Sequence, residues 1–129
     1  RYSELFNECR RFVQELRIKT PGIKTVTNNL SGGNQQKVVL AKWLSQGSDI
    51  LLVDEPTQGI DVGAKAEIYA ILKKMASDGH SIIIASSELA ELMQVCEKII
   101  VMFHGKVVGI FGEKDMKEEA ILQCTIAGR

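Results

Sequence analysis

From Tyr2 to Leu16, apolar residues recur every third or fourth position: Tyr2, Leu5, Phe6, Cys9, Phe12, Val13 and Leu16. Glu4, Asn7, Glu8, Arg10, Arg11, Gln14 and Glu15 fill the other face. The spacing predicts an amphipathic helix packed on a core. Pro21-Gly22 breaks the pattern and opens a loop that runs to Asn29. A second helix is predicted from about Gly33 to Ser45. Val38, Val39, Leu40, Ala41, Trp43 and Leu44 make it apolar over most of its circumference, so it should be largely buried. Ile50 to Val53 is a short, uninterrupted apolar run, the pattern of a strand covered on both faces in a parallel sheet.

Ala64 to Ala76 is again helical, with Ala64, Ile68, Ile71, Leu72 and Met75 on one stripe and Lys65, Lys73 and Lys74 facing water. Gly79 is placed to end it. Ser81 to Ala85 reads as a second buried strand. Glu88 to Val95 reads as a short helix with acidic residues in its first turn, where the dipole favours them. Lys98 to Phe103 and Lys106 to Phe111 read as strands around a two-residue His104-Gly105 turn. Asp115 then caps a last helix, with Glu118 as its capping-box partner. The alternation of strand and helix gives an α/β architecture with a mainly parallel sheet and a C-terminal antiparallel hairpin. No internal repeat or low-complexity stretch interrupts it.

At 129 residues the chain has the length of one ordinary domain or part of a larger one. Hydrophobic residues make up 45%, enough for a packed core. Lys plus Arg equals Asp plus Glu at 16 each, and this zero balance argues against a dedicated nucleic-acid binder. Cys9, Cys96 and Cys124 lack C-x-x-C spacing and read as free thiols serving as small apolar core residues. No apolar run reaches the length of a membrane span, so any link to a membrane runs through a partner.

Two stretches carry candidate chemistry. Leu30-Ser31-Gly32-Gly33 leads into the second helix. Paired glycines let a backbone approach a ligand, and a helix start aims free N–H groups and its positive end outward. Ser31 adds a hydroxyl donor, so the turn suits an anion such as a γ-phosphate. An ordinary helix cap explains the same residues. Gln35 and Gln36 either contact a ligand or are exposed helix positions. The second stretch is Ile50-Leu51-Leu52-Val53-Asp54-Glu55. Ligands of open parallel sheets collect at the carboxyl ends of the strands. Neighbouring strand residues point opposite ways, which divides the labour: Asp54 for Mg²⁺ and Glu55 for polarising an attacking water. Solvated acids at a strand end are the plainer reading. Asp61, in the loop Pro56 to Gly63, either caps the following helix or reaches across an interface.

Together, in this order and spacing, Leu30 to Lys37, Ile50 to Glu55 and Gly59 to Asp61 resemble the signature motif, the Walker B strand and the D-loop of the ABC-transporter ATPases. The extended forms Leu30 to Val38 and Asp54 to Lys65, with Thr20-Pro21-Gly22 upstream, resemble the second nucleotide-binding domain of the monosaccharide importers, the ribose, galactose and xylose systems among them. The resemblance covers nearly the whole chain. It implies part of a P-loop NTPase fold, with residues 1–48 in the helical subdomain and 49–129 in the C-terminal part of the ATPase core. It implies ATP and Mg²⁺ as cofactors. Ser31, Gly32 and Gly33 would contact the γ-phosphate of ATP held by an opposing nucleotide-binding domain, and Gln35 would count among the nucleotide-binding residues. Asp54 would serve Mg²⁺, Glu55 would be the hydrolytic base and Asp61 would lie at the interface. The implied partners are that second domain, membrane permease subunits and, indirectly, a periplasmic-type sugar-binding protein. The implied place is the cytoplasmic face of the inner membrane.

Two departures qualify the resemblance. Ser87 stands where the family usually carries a γ-phosphate-sensing histidine. The sugar-importer subgroup shares that feature, but a serine hydroxyl carries no positive charge. His80 and His104 do not replace it and read as surface residues. The chain also contains no G-x-x-x-x-G-K-[ST] loop. By the resemblance, the phosphate loop, the adenine-stacking aromatic and the glutamine loop would precede Arg1, and the chain is expected to be a C-terminal fragment. Such a piece alone should turn over no ATP, since positioning and charge neutralisation dominate phosphoryl transfer. Its unpaired sheet edges should favour self-association. The alternatives are a nucleoside-importer ATPase, a non-transport ABC protein acting on ribosomes or DNA, or an interaction module without chemistry.

Overall fold

The computed structural model describes residues 2–127. In chain order the elements are α1 (Tyr2–Glu15), a 3₁₀ turn (Thr27–Asn29), α2 (Gly32–Ser45), β1 (Ile50–Asp54), α3 (Val62–Ser77), β2 (Ser81–Ala85), α4 (Leu89–Val95), β3 (Lys98–Phe103), β4 (Lys106–Gly112) and α5 (Glu118–Ala127). Every helix and strand expected from the pattern is present, most within two residues of the expected bounds. The chain divides into two compact units, Arg1–Ile83 and Ile84–Arg129.

In the first unit, β1 and β2 pair into a two-stranded sheet. The Ser81 amide donates to the Asp49 carbonyl at 2.8 Å, and His80 Nδ1 meets the Ser48 carbonyl at 2.9 Å. The strand starts therefore lie side by side, the parallel arrangement, with α3 as the crossover. The core gathers Phe12, Leu16, Ile18, Leu40, Leu51, Ile68, Leu72 and Met75. The stripe read on α3 is realised, and Tyr69 joins it. Two helices of this unit end in the same hydrogen-bonded motif. After α3, the Gly79 amide donates to the Ala76 carbonyl and the His80 amide to the Met75 carbonyl. After α1, Arg17 donates to Gln14 and Ile18 to Val13. The pivot there is Arg17 at φ +50°, a left-handed position usually given to glycine.

In the second unit, β3 and β4 form the antiparallel hairpin, Lys98 opposite Gly112 and Phe103 opposite Lys106, with an irregularity between Val101 and Met102. His104 and Gly105 both have positive φ, +46° and +76°, as a tight turn matched to strand twist requires. Alternation along β3 sends Ile99 and Val101 onto Ile121 of α5, with Leu92, Phe111 and Cys124 around them. Burial pushes the half-buried Cys96 thiol up from its ordinary value, with the nearby Glu91 charge adding to the effect.

Six expectations need correction. The strand Ser81–Ala85 is not buried: Ile83 is open and none of its residues is fully enclosed. The second helix is not largely buried: Val39 and Trp43 are exposed, and only Gly33, Lys37 and Leu40 are fully enclosed. Nor is β1 covered on both faces, since Leu51 is buried while Ile50 and Leu52 (78%) are open. Both errors share a cause: an apolar run records what a chain can bury, and nothing in this unit lies over those positions. On α1, Tyr2, Leu5 and Cys9 are exposed, so Cys9 is not a core residue. Asp115 does not stand at the N-cap position, because α5 begins only at Glu118, with the Ile121 amide donating to the Lys117 carbonyl. His80 is half-buried and bonded rather than a free surface residue.

Candidate functional site

The first unit brings the two candidate stretches to one corner. Gly33 is buried at the start of α2, and a Cβ built there would lie 2.7 Å from the Ala64 Cβ and 3.7 Å from Ile60 Cγ2. A Cβ on Gly32 would lie 3.9 Å from the Gly59 carbonyl oxygen. The glycine turn thus rests directly on the loop that follows the Asp54-Glu55 strand end. The starts of α2 and α3 sit side by side, and the contact exists because position 33 carries no side chain.

The two helix starts differ. Asp61 caps α3, accepting the Ala64 amide on Oδ1 at 3.0 Å. The structure therefore realises the capping role for Asp61. Ser31 occupies the N-cap position of α2 (φ −62°, ψ 155°), but its side chain does not cap the helix. Instead its Oγ accepts the Asn34 side-chain amide at 2.8 Å. A hydroxyl that accepts there keeps its own proton to donate. The same Asn34 accepts the Lys19 amide on Oδ1 at 2.8 Å. Ser31 and Gly32 are exposed. Gln35 is turned inward, its Nε2 donating to the Leu30 carbonyl at 2.8 Å, so its amide stabilises the turn. The result is an open, exposed helix start with a hydroxyl donor beside it, which is the local chemistry of an anion site.

Asp54 ends β1 with an exposed side chain. Glu55 follows at φ +45°, a rare conformation for a non-glycine residue. The Gln58 amide closes a turn onto the Glu55 carbonyl at 3.2 Å, with Pro56 and Thr57 buried beneath it. The chain thus bends sharply between the two carboxylates and the loop that supports the glycine turn. Among the described residues no group of three or more His, Cys, Asp or Glu side chains gathers into a metal cage. Ser87 lies in the second unit, exposed on the bend between β2 and α4. Its neighbour Ser86 hydrogen-bonds the buried Glu91 carboxylate.

Lys37 is the residue that sequence reasoning passed over. It is 2% exposed, and its Nζ donates to Glu67 Oε2 at 2.5 Å and to the Arg17 carbonyl at 3.0 Å. The ammonium group holds the Glu67 carboxyl below its ordinary range, through the hydrogen bond first and then its charge. A signal existed: Gly33, Lys37 and Leu40 fall at i, i+4 and i+7, one face of a helix.

Comparison with known proteins agrees with this geometry. The family model described as ABC transporter matches residues 4–58, the segment that includes the glycine turn and the acid pair. The chain is 50% identical over 116 residues to a putative ribose/galactose/methyl galactoside import ATP-binding protein of Halalkalibacterium halodurans, covering 90% of this chain and 22% of that protein. It is 48% identical to the ribose import ATP-binding protein RbsA of Rhodopirellula baltica, covering 93% of this chain and 24% of that protein. The chain thus spans about a quarter of the length of the curated relatives it matches. Among solved structures it superposes on MJ1267, an ATP-binding cassette of an ABC transporter, with a TM-score of 0.80 at 19% identity, covering 94% of this chain and 49% of that one. It also superposes on the dimeric post-hydrolysis state of the cassette MJ0796 bound to ADP and Pi, with a TM-score of 0.71 at 25% identity, covering 83% of this chain and 46% of that one. Sequence motif, local geometry and fold converge on one likeness: over most of its length the chain resembles the ATP-binding proteins of the ABC transporters.

Proposed function

We propose that the chain supplies the signature turn and the Walker B strand end of an ATPase subunit that couples ATP hydrolysis to monosaccharide import. One observation carries the reading: an uncapped helix start, with the Ser31 hydroxyl beside it, packed against the loop that issues from Asp54-Glu55. The relatives' names, which include ribose, galactose, arabinose and xylose import, support the substrate class. Residues 1–48 then belong to the helical subdomain and 49–129 to the ATPase core.

In this reading each residue has one task. Ser31 donates its hydroxyl proton, and Gly32 and Gly33 offer backbone N–H groups, to the γ-phosphate of ATP bound by an opposing nucleotide-binding domain. Asp54 holds Mg²⁺, whose charge offsets that of the phosphate oxygens when it is bound. Glu55 accepts a proton from the attacking water. Gln35 acts from behind, by fixing the Leu30 carbonyl. Asp61 closes the start of α3 and so holds the interface loop in shape, and Ser87 offers a hydroxyl where a histidine is usual. Permease subunits and a sugar-binding protein are the partners, at the cytoplasmic face of a membrane. Among the described residues no helix is long and apolar enough to cross one.

The test uses the complete polypeptide assembled with its permease. Glu55→Gln keeps the shape and removes the base. Its ATPase rate should fall on the order of a hundredfold or more. Hydrolysis that continued at the wild-type rate would remove Glu55 from the chemistry and mark this site as a non-catalytic one. Stimulation of the wild-type rate by binding protein loaded with a pentose or hexose, but not with a nucleoside, is the expected mark of the substrate class.

A further inference from the structure

We infer that Lys37 is a positioning residue of the nucleotide site, one that fixes the glycine turn of α2 against α3; the inference deepens the proposed function and rests on it for its kinetic arm. The Lys37 ammonium reaches three segments at once. It sits on α2, one helical turn beyond Gly33. It donates to Glu67 on α3, and Glu67 lies three residues beyond Ala64, the residue Gly33 packs on. The two helices are thus pinned twice in the same register, by an apolar contact at their starts and by a charged one a turn later. The third segment is the end of α1. Lys37 donates to the carbonyl of Arg17, the residue that holds the left-handed pivot at φ +50°. Two residues on, the Lys19 amide donates to Asn34, which in turn donates to the Ser31 hydroxyl.

The chain of contacts therefore runs from a buried ammonium to the group that would meet phosphate. Without the ammonium, the Arg17 carbonyl and the Glu67 carboxylate lose a charged donor. The Arg17 turn keeps its Lys19–Asn34 bond to α2 but loses the charged one, and the glycine turn keeps its Gly33–Ala64 contact with α3 but loses the second pin one turn further on. Methionine at position 37 matches the length and apolar character of the lysine stem and removes only the donor. Arginine restores donors to both acceptors. A charge reversal, Lys37→Glu with Glu67→Lys, restores the ion pair but leaves the Arg17 carbonyl facing an acceptor.

The experiment measures amide hydrogen exchange and ATPase kinetics on the complete polypeptide with its permease. In Lys37→Met, exchange across residues 17–19 and 32–37 should quicken on the order of ten- to a hundredfold. Exchange in the β3–β4 hairpin should stay at the wild-type rate. The kcat should fall on the order of tenfold with KM for ATP within about twofold, the pattern of a contact made only in the transition state. Lys37→Arg should recover both readouts, and the charge reversal should recover neither fully. Unchanged exchange would overturn the inference, as would faster exchange spread evenly over the chain. Local exchange gains with an undisturbed kcat would overturn the link to the nucleotide site. Failure of the function reading shows separately, as full activity in Glu55→Gln, and leaves the exchange arm to decide what Lys37 holds in place.

Discussion

Adding one methyl group at Gly33 tests the packing that holds the glycine turn. The Cβ of Gly33→Ala would sit 2.7 Å from the Ala64 Cβ, against the 3.5–4.0 Å at which carbon atoms prefer to rest. The shortfall is about 1 Å, and an alanine methyl has no rotamer with which to yield. The helices must separate. Overpacking of this kind costs roughly 1–3 kcal/mol, offset by up to about 1 kcal/mol because alanine favours the helix more than glycine does. A net loss between about 0 and 3 kcal/mol follows. Gly32→Ala provides the control, since its Cβ would approach only the Gly59 carbonyl, at 3.9 Å. Its stability should stay within about 0.5 kcal/mol of wild type. Removing the opposing methyl supplies the decisive arm. Ala64→Gly costs something alone, but with Gly33→Ala it relieves the collision, so the double variant should exceed the sum of the single effects by about 1 kcal/mol. Chemical or thermal unfolding of the intact polypeptide reads all four proteins. Gly33→Ala at wild-type stability, with no coupling to position 64, would refute the close-packed corner.

Two further outcomes follow from the same unit. Asp61→Ala removes the side-chain cap of α3 and should cost about 1 kcal/mol in unfolding measurements, whereas Asp61→Asn, still a good cap, should cost clearly less. Glu67 titrates below its ordinary 4.5 because Lys37 stabilises its charged form. The folded state therefore binds the proton less readily than the unfolded chain. The stability this lends is complete above about pH 4.5 and is lost as the pH falls through the lowered value. Unfolding free energies of wild type and Glu67→Gln should draw together as the pH drops from about 6 into that range, and a constant gap would contradict the assignment.

Period and punctuation revealed the elements well. The β1 run, the Gly79 helix end and the His104-Gly105 turn each rest on local chemistry that the chain carries at that point. Burial was less legible. Trp43, Ile50 and Leu52 are as apolar as any core residue, yet they are exposed because cover is a property of what lies opposite. Within the site, the glycine turn and the acid pair were visible because their residue types are unusual at helix and strand ends. The division between the glycines was not, since only the structure shows Gly33 buried against Ala64 and Gly32 open. Asp61 left two roles open, and a hydrogen bond to Ala64 shows the capping one. Lys37 was hidden by its type, because lysine is rarely enclosed and its partners lie far away in sequence.

The paired helix starts behave as a socket with a single live terminal. Both point the same polarity toward one corner, and each would draw negative charge on its own. Asp61 already carries that charge for α3, as a permanent plug. Only the α2 side, with the Ser31 proton beside it, is left to receive an incoming anion. On the proposed function, an acidic ligand arriving at this corner would be sorted to the α2 start before any contact with its sugar or base is made.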